Sequence, residues 1–424
     1  MVTSIPAGDA IRLLADARRV FVTSGCGEPQ TLTEALASAR LHHPLRIATG
    51  LQGGSAPYLT TAENDAEDLL SVRLFMSSPA ASRVIAAGRG DYVPACLSQI
   101  PGLLTGEANA VDAALVQVAP PDEDMMCSLG PTVSYTMAAI RSAPLVIAEM
   151  NARMPRTCGD SRIPLSRLDA VVKSDRQLIQ VPQPEPDQVS TAIAGHAATL
   201  IRDGDCLQVG VSAIATAIWR AVSVRNDLGI HAGSVADGIV AAMRSGVVNN
   251  AAKAIDTGCT VTNQLIGTDL LYEYADRNPA VRLMPAEYSN DPRVLAELRN
   301  FVSVNSALEV DLTGHVNSEV LGGRYLAGVG GALDFAIGAR LSPGGCSIIA
   351  LPSTARGKSR IVASTSGGNV TIPATLVDFV VTEHGIADLR GASISERASR
   401  LISLAAPQHR DELAGRRAEK GTAG

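Results

Sequence analysis

The stretch Arg19–Ala39, RVFVTSGCGEPQTLTEALASA, decides the fold class. It begins with an apolar run typical of a buried strand, passes through a glycine turn, and continues with the apolar spacing of a helix. Further apolar runs of strand length begin near Leu45, Val72, Ala114 and Pro144, and helical patterns lie between them. This alternation predicts an α/β protein with open, mostly parallel sheets and helices on both faces.

A proline-rich segment divides this pattern in two. Residues 181–188 (VPQPEPDQ) contain three prolines within five residues, which excludes regular structure. After it, strands and helices alternate again. We therefore predict an N-terminal α/β domain over 1–180, a linker over 181–188, a C-terminal α/β domain over 189–413 and a frayed tail over 414–424.

Three longer runs in the second domain are each assigned to a single element. Cys259–Ile266 and Phe301–Leu312 have the apolar density of long buried strands. Val235–Arg244 has the apolar spacing of a helix.

Composition excludes several classes of protein. Of the 424 residues, 46% are apolar and 18% charged, which is typical of a globular chain. A net charge of −6 and the lack of a long basic run argue against nucleic acid as a partner. No apolar stretch is long enough to span a membrane, and the N-terminus does not resemble a signal peptide. Seven scattered cysteines without a CxxC pair predict a cytoplasmic protein with no disulfide framework and no metal site.

Three glycine turns each follow a predicted strand and precede a predicted helix. They are SGCGEP with Gly25 and Gly27, LQVGVSAI with Gly210, and GVGGALDF with Gly330 and Gly331. Free N–H groups in such turns, together with the helix dipole, can hold a phosphate or a developing oxyanion. Glycine is also common in tight turns of no chemical role, so that alternative stays open. Three such turns in one chain favour a nucleotide or coenzyme A as the ligand.

Longer strings carry a family resemblance over nearly the whole chain. They include Met150–Ser161 (MNARMPRTCGDS), Asn226–His231 (NDLGIH), Ser303–Glu319 (SVNSALEVDLTGHVNSE), Gly328–Phe335 (GVGGALDF) and Asp378–Gly391 (DFVVTEHGIADLRG). The chain resembles the acetyl-CoA hydrolase/transferase family, the branch of class I CoA-transferases that includes 4-hydroxybutyrate CoA-transferase. The resemblance implies two CoA-transferase-type α/β domains with the active site in the cleft between them, acyl-CoA as substrate, and a homodimer or larger homo-oligomer.

One departure from the family pattern affects the position of the catalytic nucleophile. The family's reaction uses a glutamate two residues after a histidine, and this carboxylate attacks the thioester to give an acyl-glutamyl anhydride. Here the string is Gly229–Ser234, GIHAGS, and Gly233 stands where the resemblance places the glutamate. Since glycine has no carboxylate, this position cannot form an anhydride.

Several reactions remain open for a chain with this substitution. We favour direct transfer of the acyl group from CoA to a small-molecule nucleophile, with His231 either as general base or as a structural core residue. The alternatives are acyl-CoA hydrolysis, a conventional carboxylate CoA-transferase with its nucleophile relocated to Ser234, Glu28 or Cys26, and a non-catalytic CoA-binding protein. Cys26 is favoured over other cysteines as a nucleophile, because a helix N-terminus lowers the pKa of a thiol. The structural alternative for Glu28 is a first-turn carboxylate that complements the helix dipole.

The resemblance also assigns the residues that meet the ligand. Lys358 matches a lysine that contacts the CoA phosphates, although it could equally be a solvated loop residue. The oxyanion is assigned to the turn with Gly25 and Gly27. The expected CoA-binding residues are Gly210, Val211, Ser212, Ala213, Ile214, Asn305, Val329, Gly330, Gly331 and Lys358.

Overall fold

A computed structural model describes residues 4–107 and 109–421 of the chain. The strands are β1 Arg19–Val22, β2 Leu45–Thr49, β3 Leu70–Leu74, β4 Gly90–Tyr92, β5 Ala113–Val118, β6 Met126–Ser128, β7 Leu145–Asn151, β8 Cys158–Gly159, β9 Arg162–Pro164, β10 Ala170–Ser174, β11 Cys206–Val209, β12 Gly229–Ile230, β13 Ser234–Val235, β14 Thr260–Thr262, β15 Gln264–Leu265, β16 Val281–Leu283, β17 Phe301–Asn305, β18 Glu309–Asp311, β19 Val316–Asn317, β20 Val320–Leu321, β21 Arg324–Tyr325, β22 Cys346–Ala350, β23 Thr354–Ala355, β24 Lys358–Ser359, β25 Ile361–Val362, β26 Phe379–Thr382 and β27 Gly385–Asp388. The helices are α1 Ala7–Arg12, α2 Gln30–Ser38, α3 Pro57–Glu63, α4 Pro79–Ala86, α5 Ile100–Thr105, α6 Thr136–Ser142, α7 Gln188–Ala198, α8 Ala213–Ala221, α9 Gly238–Arg244, α10 Asp269–Ala275, α11 Ala286–Ser289, α12 Pro292–Glu297, α13 Ala332–Leu341, α14 Ile394–Leu404 and α15 Pro407–Gly421.

The chain packs as two compact units whose bounds interleave along the sequence. The first unit comprises the described residues up to Pro182 together with Gly233–Asp237 and Thr260–Ser289. The second comprises Gln183–Ala232, Gly238–Cys259 and the described residues from Asn290 onward. The division at Pro182 lies within the predicted linker. By contrast, the predicted second domain of 189–413 includes two segments that pack with the first unit, because their short strands β13 to β16 pair with each other and with β8 there.

The first unit is built on a seven-stranded sheet in the order β10-β7-β5-β1-β2-β3-β4. All neighbouring strands in it are parallel. Val20, Ile47 and Val72 line one face and form an apolar cluster with buried residues of α1 to α4. On the opposite face, Phe21 packs edge-on against Tyr135, which immediately precedes α6. Burial on both faces explains why these strands read as nearly continuous apolar runs.

The second unit contains a six-stranded sheet in the order β12-β11-β17-β22-β26-β27. The first five strands are parallel, and β27 is antiparallel to β26. Its larger apolar cluster joins Ile349 and Val380 of this sheet to Leu401 of α14. The predicted fold class, α/β with two open and mostly parallel sheets, is confirmed.

Several predicted elements differ from the structure. Cys259–Ile266 forms β14 and β15, which belong to different sheets, and Phe301–Leu312 likewise divides into β17 and β18. The predicted helix over Val235–Arg244 begins only at Gly238, after Ser234–Val235 has paired as a strand. Residues 414–421 continue α15, where Leu413 is buried and the Arg417 guanidinium donates to the Ser399 hydroxyl. Residues 422–424 of the predicted tail lie outside the described residues. Within the described residues, no helix combines the length and apolarity that crossing a membrane requires.

Candidate active site

The Gly25–Glu28 turn follows β1 at the carboxyl edge of the first sheet. The strand order reverses at this point, because β2 to β4 succeed β1 on one side while β5, β7 and β10 lie on the other. Loops that leave in opposite directions at such a reversal open a crevice, and ligands of open α/β sheets bind there. The turn therefore occupies the position in this unit where a ligand is most expected.

The N–H groups of the two glycines in this turn are used inside the protein. The Gly25 N–H donates to the Leu51 carbonyl at 2.7 Å, and the Gly27 N–H donates to Thr132 Oγ1 at 3.1 Å. The structure thus differs from the prediction that these groups face outward to an oxyanion. They anchor the turn instead, and the φ of +63° at Gly25 is one that glycine adopts most easily.

The structure brings Gly233 and Ser234 close to the same turn. Ser234 pairs in parallel register with Gln264, whose Oε1 lies 3.5 Å from where a Cβ at Gly25 would stand. Gln264 and Thr132 are not among the residues predicted from the sequence. Both are buried polar residues among apolar neighbours, and that was the only signal available for them.

The backbone at Gly233 is buried and held by three donors. Its carbonyl accepts from the N–H groups of Asn263 at 3.2 Å and Gln264 at 3.1 Å, and from Thr262 Oγ1 at 3.3 Å. Gly233 does not adopt the left-handed φ that favours glycine. A side chain at this position is therefore compatible with the local backbone.

Glu28 is buried rather than presented at the surface. Only 1% of its area is exposed, and its Oε2 has no hydrogen-bond partner among the described residues. Burial raises the pKa of Glu28 to about 7, against smaller opposing effects of the Thr33 hydroxyl and the nearby Ala56 N–H. At neutral pH this group is protonated in a large fraction of molecules, unlike the ionised first-turn carboxylate expected from the sequence.

Cys26 is also fully buried. Burial raises the pKa of its thiol, and a contact with the Tyr272 hydroxyl only partly opposes this effect. Burial therefore outweighs the effects that would lower this pKa. A buried thiol with a raised pKa is inert compared with a reactive cysteine.

In the second unit, the turn Gly210–Ser212 occupies the equivalent place. It follows β11, and the strand order reverses between β11 and β17. Asn305 ends β17, and its Nδ2 donates to Gln208 Oε1 of β11 at 3.2 Å. Ser212 caps α8 by accepting from the Ala215 N–H at 3.2 Å. The predicted CoA residues Gly210–Ile214 and Asn305 therefore lie together at one carboxyl edge.

The remaining predicted CoA residues follow strands of the same sheet. α13 begins at Ala332, with Gly331 as its N-cap. It lies in the connection between the parallel strands β17 and β22 and directly precedes β22, so its N-terminus faces the carboxyl edge of the sheet. Gly331 has no room for a Cβ, which would stand 2.5 Å from Asn290 Nδ2. Val329 and Gly330 precede it directly. Lys358 is exposed on the hairpin of β23 and β24 that follows β22.

His231 is fully buried in the second unit. Its backbone N–H donates to the Leu207 carbonyl at 3.1 Å, and this bond continues the pairing of β12 with β11. Lys253, which the sequence analysis missed, is also buried and donates from Nζ to the Ile230 carbonyl at 3.1 Å. This ammonium therefore fixes the backbone directly before His231.

A first prediction concerns the close approach of the Gly25–Glu28 turn to Thr132. A Cβ at Gly27 would stand 2.8 Å from the Thr132 Cβ, so Gly27→Ala requires the turn to move. We expect a loss of about 1–3 kcal/mol in the free energy of unfolding, measured by urea denaturation. Gly102→Ala is the matched control, because nothing lies within 4 Å of its Cβ position in α5. Equal stability of the two variants would contradict the tight packing of this turn.

Among residues 4–107 and 109–421, no group of three or more His, Cys, Asp or Glu side chains could hold a metal ion. The carboxyl edge of the second sheet has glycine turns and helix N-termini, which suit an anionic ligand.

Comparison with known proteins identifies the family. Residues 4–182 match the acetyl-CoA hydrolase/transferase N-terminal domain, and residues 267–416 match the C-terminal domain. The 4-hydroxybutyrate coenzyme A transferase of Clostridium kluyveri is 37% identical over 96% of both chains. A succinyl-CoA:cyclohexane-1-carboxylate CoA transferase of Geobacter metallireducens is 38% identical over 91% of this chain and 88% of its own. The crystal structure of RipA from Yersinia pestis superposes with a TM-score of 0.92, at 34% identity over 98% of this chain and 97% of its own. The chain therefore belongs to the acetyl-CoA hydrolase/transferase family and is an acyl-CoA transferase or hydrolase.

Proposed function

We propose that this enzyme transfers an acyl group from a CoA thioester directly to a small-molecule nucleophile. The observation that carries the proposal is Gly233, which stands where the family resemblance places the glutamate nucleophile. The nucleophile attacks the thioester carbonyl, the carbon–sulfur bond breaks, and CoA leaves as the thiolate. The proton of the nucleophile passes to solvent or to that thiolate, so no acyl-glutamyl anhydride forms.

The proposal assigns the CoA to the carboxyl edge of the second sheet. Exposed Gly210 and the N-terminus of α8 suit a pyrophosphate, and Lys358 adds a positive charge on the hairpin that follows β22. Holding thioester and acceptor together in one complex can supply an effective molarity of about 10⁵ M or more. The full burial of His231 supports a structural role for it rather than proton transfer with the acceptor.

The nature of the other buried groups also supports attack by an external nucleophile. Glu28 and Cys26 are 1% and 0% exposed, so neither side chain is presented to a substrate in this structure. Ser234 is half-buried and remains the residue most accessible for an alternative covalent route.

The test is the acceptor dependence of thiol release. The enzyme is incubated with acetyl-CoA, and free CoA is followed with a thiol reagent in the presence of an amine, an alcohol, a carboxylate or no acceptor. We expect release to require an amine or alcohol, with the acetylated acceptor detected by mass spectrometry. Release at the same rate without any acceptor would identify a hydrolase, and no release with any acceptor would contradict the proposal.

A trapping experiment separates direct transfer from a relocated nucleophile. Samples taken during turnover are quenched in acid, digested and mapped by mass spectrometry, which detects an acyl group on a serine or cysteine. A parallel sample receives hydroxylamine, which converts an activated glutamate to a hydroxamate. We expect no acylated serine or cysteine and no hydroxamate on any glutamate. An acyl group on Ser234 or Cys26, or a hydroxamate on Glu28, would show a covalent intermediate, and loss of that signal in the corresponding Ala variant would confirm its position.

A further inference from the structure

Three polar side chains beside the Gly25–Glu28 turn share one face. Gln264 is the parallel register partner of Ser234 and the antiparallel bridge partner of Thr132. Because paired residues of neighbouring strands direct their side chains to the same side, all three side chains leave the same face. Thr132 Oγ1 and Gln264 Oε1 lie 3.4 Å and 3.5 Å from where a Cβ at Gly25 would stand. This face is therefore directed at the turn.

The side-chain amide of Gln264 is a buried polar group without a hydrogen-bond partner among the described residues. Only 8% of the residue is exposed. Its backbone is fully used, since its N–H donates to the Gly233 carbonyl and its carbonyl accepts from Thr262 Oγ1. Neither amide atom is completely sealed from solvent. The large majority of buried polar groups are paired with protein, water or ligand, so this amide at the turn points to a bound group.

The surroundings of the turn disfavour a negatively charged ligand. The N–H groups of Gly25 and Gly27 already donate within the protein, so they do not provide the free donors that bind an anion. Burial raises the pKa of the Cys26 thiol, and the negative charge of Asp237 adds to this effect. A carboxylate bound at the turn is repelled by the same charge, whereas an uncharged hydroxyl or amine is not.

A primary amide suits an uncharged nucleophile. The amide oxygen accepts a hydrogen from an O–H or N–H group and leaves a lone pair of that group free to attack. The amide does not take up the proton, which passes to solvent or to the CoA thiolate as in the proposed reaction. Direct transfer between two bound substrates depends on holding the nucleophile in one orientation, and this contact provides that orientation.

We propose that Gln264 holds the acyl acceptor, and that the acceptor presents an uncharged hydroxyl or amine to it. The inference rests on the proposed function, since it takes direct transfer to an external nucleophile as the reaction. It adds the side chain that orients the acceptor and distinguishes an alcohol or amine from a carboxylate. The Gln264 N–H donates to the Gly233 carbonyl at 3.1 Å, so the acceptor is held close to the position that the family resemblance gives to the nucleophile.

The experiment compares the parent enzyme with Gln264→Met, which keeps the size of the side chain and removes its hydrogen-bonding groups. Gln188→Met is the matched control, because Gln188 is exposed and lies in the second unit. Release of CoA from acetyl-CoA is followed with a thiol reagent, with glycerol as the alcohol and ethanolamine as the amine. We expect kcat/KM for the acceptor to fall about tenfold or more in Gln264→Met, while the KM for acetyl-CoA changes less than twofold. Both values should stay at the parent level in Gln188→Met.

Urea denaturation separates this role from a structural one. Replacing an unpartnered buried amide by an apolar side chain of similar size should leave the midpoint of unfolding unchanged or raise it. A clear fall in the midpoint would show that the amide is paired inside the protein and would overturn the inference.

The kinetic outcomes distinguish this inference from the proposed function. Acceptor-dependent release that is equally efficient in the parent and in Gln264→Met overturns the inference and leaves direct transfer intact. Acetate accepted in preference to glycerol and ethanolamine overturns the assignment of an uncharged acceptor. Release from the parent that neither glycerol nor ethanolamine accelerates contradicts the proposed function and the inference together.

Discussion

Gly233→Glu is expected to give this enzyme CoA exchange between carboxylic acids. The new carboxylate would stand where the family resemblance places the nucleophile, and the local backbone permits a side chain there. A carboxylate held beside a thioester acts at an effective molarity of about 10⁵–10⁸ M, so a gain of at least about 10³-fold in exchange is a cautious expectation. The measurement is the transfer of isotopic label from free acetate into acetyl-CoA.

Gly233→Gln is the matched control for this prediction. It adds a side chain of the same size with the same burial but without a nucleophilic oxygen anion. We expect label transfer in the Glu variant only, together with a mass increase on residue 233 when the glutamyl-CoA thioester is trapped. Equal rates in both variants would mean that the position does not face the thioester, and exchange by the parent enzyme would refute direct transfer.

Glu28→Gln is expected to change how stability depends on pH. The pKa of Glu28 is about 7 in the fold and about 4.5 when unfolded, so the folded state holds the proton more tightly. Between these values the unfolded chain binds fewer protons, and the free energy of unfolding therefore falls as pH rises from about 4.5 to 7 and then levels off. The full difference amounts to about 3 kcal/mol at most.

Urea denaturation at pH 5.5 and pH 8 provides the measurement. The Gln variant remains neutral at both values and makes a similar contact with Thr33, so its stability should exceed that of the parent at pH 8 by more than at pH 5.5. Other titrating groups affect both proteins equally and cancel in the comparison. If the two proteins lose stability in parallel over this range, Glu28 is ionised in the folded protein and burial does not raise its pKa.

The sheets were predictable because local patterns report burial on both faces. The strand expected near Leu45 is observed as β2, and the strand expected near Pro144 is observed as β7. The pairing of the strands was not predictable, because the density of apolar residues does not show which sheet a strand joins. Phe301–Leu312 reads as one strand, yet its two ends pair with β11 and β22 on one side and with β19 and β25 on the other.

At the candidate site, too, local sequence patterns do not show the long-range contacts of side chains and N–H groups. The sequence places glycine turns before helices correctly in three cases, since strand, turn and helix signals are local. Whether the N–H groups of such a turn are free depends on distant residues, and Gly27 donates to a threonine 105 positions away. The protonation of Glu28 is likewise set by the tertiary packing that buries it, which no local pattern records.

The interleaved bounds of the two units have a consequence for biosynthesis. The first unit takes Gly233–Asp237 and Thr260–Ser289 from the far side of the linker, including the strand that carries Gln264 to the Gly25 turn. A nascent chain that has reached only Pro182 therefore lacks β13 to β16, and the first unit cannot be completed until Ser289 has left the ribosome. A gene cut at the proline-rich linker would encode one fragment that lacks part of the first unit and a second fragment that carries those missing segments beside the second unit.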